Sequence, residues 1–245
     1  MKLFHFMHRA YIQPNKLRLA NPASRLELPE EVCHRLQRVL RLKDGEEVEL
    51  FDGAGLCIRG TLQAQVLFVG QVEHHPQPLR KLTLVQALIA LDKLEEVIQR
   101  ATELAVDEII LVRLERSQIH FESKLRSKLE RLQRIAQDAS RQSGRAFVPE
   151  VLSIPNLIQV LSHKADLNLV ADPSSLTTIQ SVLGKKLLES ERVRIFVGPE
   201  GGFSKAEIQL FEEQAFERVK IAPFILRTET AGIAMLAQIA AALLK

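Results

Sequence analysis

The run Val193-Arg-Ile-Phe-Val197, followed without a break by Gly198-Pro-Glu-Gly-Gly-Phe-Ser204, constrains this chain more than any other stretch. A short run rich in β-branched and aromatic residues reads as a buried strand, and it closes on a loop of glycines and a proline. Ser204 and Glu207 have the spacing of a capping box, in which hydroxyl and carboxylate each satisfy a backbone amide, so a helix should open just after Ser204. Strand, backbone-rich loop and helix N-terminus in that order form the junction at which open α/β sheets hold their ligands. The amides around Gly198, Gly201 and Gly202 would suit phosphate, but Glu200 sets a carboxylate among them and opposes it. The loop instead suits a ligand offering hydroxyls, an amino group or a positive centre. An ordinary glycine-rich turn is the plain alternative.

After a short strand at Val219–Ile221, the segment Leu226-Arg-Thr-Glu-Thr-Ala231 sets Arg227 and Glu229 at the mouth of a final helix expected over Gly232–Leu244. That helix has no charged residue, and Gln238 is its one polar side chain. It therefore needs cover on nearly all faces, which the sheet on one side and a second subunit on the other would supply.

The chain before this region divides at Glu73-His-His-Pro-Gln-Pro-Leu79, a polar stretch with two prolines that reads as a linker, so the domains are expected at 1–72 and 81–245 with 73–80 between them. Residues 1–72 are β-rich: Phe4–Ile12, Glu47–Phe51 and Leu56–Val69 read as strands and Pro29–Leu42 as a helix with Val32, Leu36, Val39 and Leu40 on one face. A small barrel carrying one helix is the expected result. Beyond the linker, strands Leu82–Ile89, Glu108–Val112 and Leu167–Ala171 alternate with helices Asp92–Ala105, Lys124–Ser143 and Leu176–Ser190. Such alternation predicts a mainly parallel sheet with helices on both faces.

Charge is unevenly spread. The net charge is only +3, yet residues 116–145 carry 8 Lys/Arg against 3 Asp/Glu. In the helix Lys124–Ser143, Leu125, Leu129, Leu132, Ile135, Ala136 and Ala139 make the apolar stripe, and Arg131, Arg134, Arg141 and Arg145 fall on a neighbouring one. Guanidiniums in a row suit a polyanion, to which they would bind through phosphate. Arg9, Arg35, Arg38 and Arg41 form a second candidate set in the first domain, with a solvated face as the alternative.

The motifs Gly198-Pro-Glu-Gly-Gly-Phe-Ser204 and Leu226-Arg-Thr-Glu-Thr-Ala231, in this order and at this separation, resemble the paired signature of the RsmE family, SPOUT-class enzymes that methylate N3 of a uridine in 16S ribosomal RNA. His34 with Val39-Leu-Arg41, Ala101-Thr-Glu-Leu104 and Gln142-Ser-Gly-Arg145 are similar to its other markers, so the resemblance spans essentially the whole chain. It implies an α/β domain with a trefoil knot, a PUA-like N-terminal β-barrel that binds RNA, a homodimer, and S-adenosyl-L-methionine as cofactor. By the same resemblance Ala171, Gly198, Pro199, Glu200, Gly201, Gly202, Ile221, Leu226, Thr230 and Ala231 would bind the cofactor. Arg227, Glu229 and Glu200 would be catalytic, and the eight arginines would meet 16S rRNA or the small ribosomal subunit. The chain departs from the family pattern at Ala105, Leu132, Arg141, Ala222 and Phe224.

Uracil N3 carries a proton that must leave before the nitrogen is a good nucleophile, so a base or a cation stabilising the anion is needed. Arg227 suits the second role because it stays protonated. Glu229 could orient it or accept a proton, or serve only to stabilise the helix N-terminus. Two other classes stay open: a non-catalytic RNA-binding protein on the same fold, and a different nucleotide-dependent α/β enzyme, against which Glu200 and the lack of a P-loop lysine argue. Cys33 and Cys57 have no C-x-x-C spacing and read as reduced core thiols. No histidine cluster suggests a metal. No apolar run reaches the ~18 residues of a membrane span, so a cytoplasmic location without membrane contact is expected.

Overall fold

Two sheets organise the chain. The computed structural model describes residues 8–17, 21–119 and 125–244, and contacts divide these into two units. The first holds the described residues up to Gln77 together with Ser140–Val148, and the second holds Pro78–Ala139 and Pro149 onward. A linear boundary at 73–80 does not include the return of 140–148 to the first unit. The parts of the expected elements at residues 4–7 and at Lys124 lie outside the described residues.

In the first unit, β1 (His8–Tyr11), β2 (Arg25–Glu27), β3 (Glu47–Phe51), β4 (Leu56–Gln63) and β5 (Val66–His74) form one sheet in the order β1-β3-β4-β5-β2. β1 pairs parallel with β3 and the remaining pairs are antiparallel. The stretch expected as one strand over Leu56–Val69 is a hairpin, turned at Ala64 with φ 50°. Its register shifts at Arg59/Gly60. A Cβ on Gly60 would lie 2.2 Å from the Phe68 carbonyl oxygen, so only glycine fits there. The helix α1 (Pro14–Leu17) was not expected from the sequence.

The helix expected over Pro29–Leu42 is a single turn, α2 (Glu30–Cys33), that passes into a π-helix at His34–Val39. The wider winding advances each residue by a smaller angle, so Val39 leaves the face set by Val32 and Leu36 and is 62% exposed. One face of the sheet packs Leu36, Val48, Leu50, Ile58 and Leu67. The other packs Phe51 and Cys57 against Ala146 and Phe147 of the returning segment. Because both faces are covered, Arg9 is buried, not exposed. Its guanidinium pairs with Glu49 at 2.5 Å, donates to the carbonyls of Ser140 (3.1 Å) and Arg145 (3.2 Å), and lies over the Phe51 ring. Cys33 and Cys57 are buried free thiols, and burial together with the Glu49 carboxylate pushes Cys57 up to about 11.

The second unit carries six parallel strands: β6 (Lys81–Ala87), β7 (Glu108–Val112), β8 (Glu150–Ile154), β9 (Leu167–Ala171), β10 (Arg192–Val197) and β11 (Glu217–Val219), in the order β11-β9-β10-β6-β7-β8. The α/β fold with a parallel sheet agrees with the alternation read in the sequence. The helices α3 (Leu91–Glu103) and α4 (Leu125–Ser143) follow β6 and β7. β8 and α5 (Leu157–Leu161) were not expected, and the expected helix Leu176–Ser190 is two short ones, α6 (Ile179–Val182) and α7 (Lys185–Glu189), parted at Gly184. α8 (Lys205–Glu213) packs Phe211 with α5 on one face, where Phe196, Phe203, Phe211 and Phe216 form an aromatic cluster. α9 (Thr228–Leu243) starts four residues earlier than expected and packs against α3 and β10 on the opposite face.

Arg194, in the middle of β10, is only 6% exposed. Its guanidinium donates to Asn168 Oδ1 (2.8 Å) and the Val160 carbonyl (2.7 Å), and burial holds its pKa below the usual arginine value. No helix among the described residues is long and apolar enough to cross a membrane, and no cluster of three metal-ligating side chains occurs among them.

Candidate active site

β9, β10 and β11 are neighbours, so the loops leaving their C-terminal ends converge. Together with the start of α9 they enclose a cavity of about 660 Å³. Three segments build its walls: Ala171–Ser174, Val197–Phe203 and Ile221–Glu229.

The loop after β10 is fixed at both ends. At its far end the capping box is complete: Ser204 Oγ accepts from the Glu207 amide (3.2 Å), and Glu207 accepts from the Ser204 amide (2.8 Å). The other Glu207 oxygen accepts from the Glu115 amide, which ties the loop after β7 to the same point. At its near end Thr228 donates to the Gly198 carbonyl at 2.5 Å and accepts from Gln86 Nε2 at 3.1 Å. Gln86 is fully buried at the end of β6, and its Oε1 has no hydrogen-bond partner. Gly202 has φ +68° with open space where a side chain would point, so the backbone is bare toward the cavity.

Charge gathers at one side of the mouth. Lys93 Nζ, two residues into α3, lies 3.0 Å from Glu200 and 3.8 Å from Glu229. Arg227 is the N-cap residue of α9, 84% exposed, with its guanidinium 4.0 Å from Glu229. Glu229 is 13% exposed and its Oε2 is buried with no hydrogen-bond donor. Partial burial raises the Glu200 carboxyl, but its own backbone amide and Lys93 outweigh this and hold it below the ordinary value. Elsewhere in the lining, Arg218 grips Asp172 with Nε at 2.7 Å and Nη2 at 2.6 Å. Burial raises Asp172, and hydrogen bonds from Ser174 and Arg218 bring it below the usual carboxylate range. Phe224 and Ile225 stand at the mouth more than four-fifths exposed.

Of the residues singled out in the sequence, Ala171, Gly198, Pro199, Glu200, Gly202, Ile221, Leu226, Arg227, Glu229 and Ala231 all line this cavity. Gly201 and Thr230 do not. The Gly201 carbonyl turns away to accept from Arg116 at 2.9 Å, and Thr230 is exposed on α9. The loop around Ala171-Asp172, expected from the resemblance to help form the cleft, does so, whereas Lys93, Gln86 and Arg218 carry no local mark of the loops they meet, being far away from them in the chain.

The arginines are dispersed. In the first unit Arg38 and Arg41 are exposed and Arg35 is half-buried, all on or just after the π-helix. Arg9 is interior, so it is removed from the set available to a polyanion. Arg141 and Arg145 are half-buried in that unit. In the second unit Arg134 is exposed, and Arg131 pairs with Glu95 at 2.7 Å.

The cleft falls within residues 75–240, which match the family model described as an RNA methyltransferase domain. The chain is 34% identical over 226 residues to ribosomal RNA small subunit methyltransferase E of Synechocystis, covering 86% of this chain and 71% of that protein. To the protein of the same name from Bacillus subtilis it is 28% identical, covering 95% and 96% of the two chains. The solved structure of ribosomal RNA small subunit methyltransferase E from Neisseria gonorrhoeae, bound to S-adenosyl methionine, superimposes with a TM-score of 0.81 at 28% identity, covering 96% of this chain and 97% of that one.

Proposed function

The chain belongs to the ribosomal RNA small subunit methyltransferase E family, and from that premise we propose that it transfers a methyl group from S-adenosyl-L-methionine to N3 of a uridine in 16S rRNA. The observation that carries this reading is the cavity between the loops after β9, β10 and β11, with Arg227, Glu229 and Glu200 at its mouth.

The residues present fit the cofactor. The volume is that of a site for a ligand of this size. Gly202 and Gly198 let backbone approach closely, while Ile221, Leu226, Ala231, Pro199 and Ala171 supply apolar wall. When bound, S-adenosyl-L-methionine supplies an electrophilic methyl group. The chain's own task is then to align the acceptor and manage the N3 proton.

Arg227 projects outward, where its guanidinium meets the acceptor base and stabilises the negative charge that develops on the uracil as N3 loses its proton. Glu229, beside it, accepts that proton on its free oxygen. Glu200, from the facing loop, closes the charged side of the mouth.

The same reading extends to the rest of the molecule. Arg35, Arg38, Arg41, Arg131, Arg134, Arg141 and Arg145 would hold rRNA through phosphate and so position it without reading its sequence. The first unit's five-stranded sheet would act as a PUA-like barrel, and the loops around the cavity would be threaded as a trefoil knot. Beyond its first turn α9 leaves Ala237 and Ala241 exposed, and a second copy covering that face would make a homodimer. An enzyme acting on ribosomal subunits would work in the cytoplasm.

The test is methylation of small ribosomal subunits with labelled S-adenosyl-L-methionine, followed by nuclease digestion and mass spectrometry of nucleosides. 3-Methyluridine is the expected product. Arg227→Ala should lower kcat by about 10²–10³, the range for loss of one charge-stabilising donor, with RNA affinity largely kept. Donor binding without transfer to any RNA, or a fully active Arg227→Ala, would overturn the reading of the site.

A further inference from the structure

Outside the residues that the sequence marks, one side chain touches both carboxylates of the cavity mouth. Lys93 approaches Glu200 in the loop after β10 and Glu229 in the first turn of α9, and it comes from a third element, α3. We infer that Lys93 is a positioning residue of the methyl-transfer site, tying these two carboxylates together and balancing their charge where the acceptor base must sit. This rests on the proposed methyltransferase reading.

Three features carry the inference. A lysine ammonium is a compact charge with three donors, so a single one can serve two carboxylates on different segments. Arg227 does not do this work in its place: its side chain is 84% exposed and reaches Glu229 at 4.0 Å, but among the described residues it makes no ion pair with Glu200, whereas Lys93 meets both. Finally, Lys93 makes a hydrogen bond to Glu200 but stops 3.8 Å short of Glu229 Oε2, which is left with no donor. At that separation Lys93 supplies field without occupying the lone pairs, so the oxygen remains able to take a proton.

The charges at this side of the mouth are Lys93 from α3, Glu200 from the loop, and Arg227 and Glu229 from α9. Asp172, which lines the same cavity, is paired with Arg218, and Arg218 in turn also meets Glu212. The mouth therefore holds two positive and two negative groups. Lys93→Met would leave it net negative. That opposes the negative charge developing on the uracil but not the binding of a cationic sulfonium donor. A general loosening of the fold would weaken both, so the split between turnover and donor affinity separates a positioning role from a merely structural one.

The experiment compares the parent, Lys93→Met and Lys93→Arg. In ligand-free protein labelled at the glutamate carboxyl carbons, with Glu200→Gln to assign the signal, NMR titration should show the Glu200 midpoint rising toward its ordinary value in Lys93→Met and returning in Lys93→Arg. In methylation assays Lys93→Met should lower kcat about tenfold to a hundredfold, as expected for a misplaced reacting group, while calorimetry shows a Kd for S-adenosyl-L-methionine no weaker than the parent's. Lys93→Arg should recover most of kcat. An unmoved Glu200 midpoint, or an unchanged kcat in Lys93→Met, overturns the inference, as does a parallel loss of donor binding. A parent that methylates no RNA overturns the function and the role with it, while the titration still reports whether the tie exists.

Discussion

At the scale of single residues, the arginines separate by what surrounds them. Arg227 stands in solvent at a cavity mouth, whereas Arg9 and Arg194 are interior and spent on carbonyls and side chains. Arg9 in a strand-like segment reads from sequence as a surface cation, because alternation says which residues face opposite sides of a sheet but not whether both sides are covered. The covering segment, Ser140–Val148, is far away in the chain, so nothing near Arg9 announces it. Arg9→Ala would leave Glu49 with only Arg59 and strand several carbonyls, at a cost of about 3–5 kcal/mol, the range for breaking one side of a buried pair. The chain has one tyrosine and no tryptophan, and that tyrosine, Tyr11, packs on Phe51 in the same unit. Tyrosine fluorescence during urea denaturation therefore reads this unit alone. A midpoint unchanged by Arg9→Ala would contradict the account.

At the scale of elements, local chemistry was legible and tertiary joints were not. The capping box at Ser204 and Glu207 forms as its three-residue spacing requires, and Glu108–Val112 and Leu167–Ala171 are the strands their apolar runs describe. The π-helix at His34–Val39 follows from no local spacing, and the break at Gly184 turned one expected helix into two. α9 starts earlier than its apolar run implies because Thr228-Glu-Thr, loop-like by composition, is held in the first turn by the bond from Thr228 to the Gly198 carbonyl. Thr228 is thus the joint between the last helix and the loop after β10. Thr228→Val keeps the shape and removes the hydroxyl, leaving Gly198 without this donor and Gln86 with only its longer bond to the Ala87 carbonyl. We expect a loss of about 1–3 kcal/mol in thermal or urea unfolding of the second unit, with donor affinity falling in parallel. Ser204→Ala removes one half of the capping box and should cost about 1 kcal/mol by the same measurement.

For the whole molecule, alternation of apolar runs and amphipathic helices was enough to give the parallel sheet, and two short motifs were enough to give the family. The proposed homodimer rests on the exposed side of α9. Ala237→Glu with Ala241→Glu, on its exposed side, should convert a dimer to a monomer in size-exclusion chromatography with light scattering, and a dimer that survives both changes would put the contact elsewhere. Acid should act through the cleft. Asp172 and Glu200 are both held below their ordinary values, so each contributes stability that is full above the usual carboxylate range and is lost as pH falls through the lowered folded-state value. Arg218→Leu removes the partner of Asp172, and the second unit of that variant should lose less stability on acidification than the parent does. The return of residues 140–148 to the first unit has a consequence in time. A ribosome making this protein adds about 5–20 residues each second, so residues up to Gln77 emerge well before the segment that supplies the carbonyl acceptors of Arg9. For several seconds the nascent first unit carries a charged pair with one wall missing. It can close only after much of the second unit has been synthesised, which makes the order of folding interleaved rather than sequential from the N-terminus.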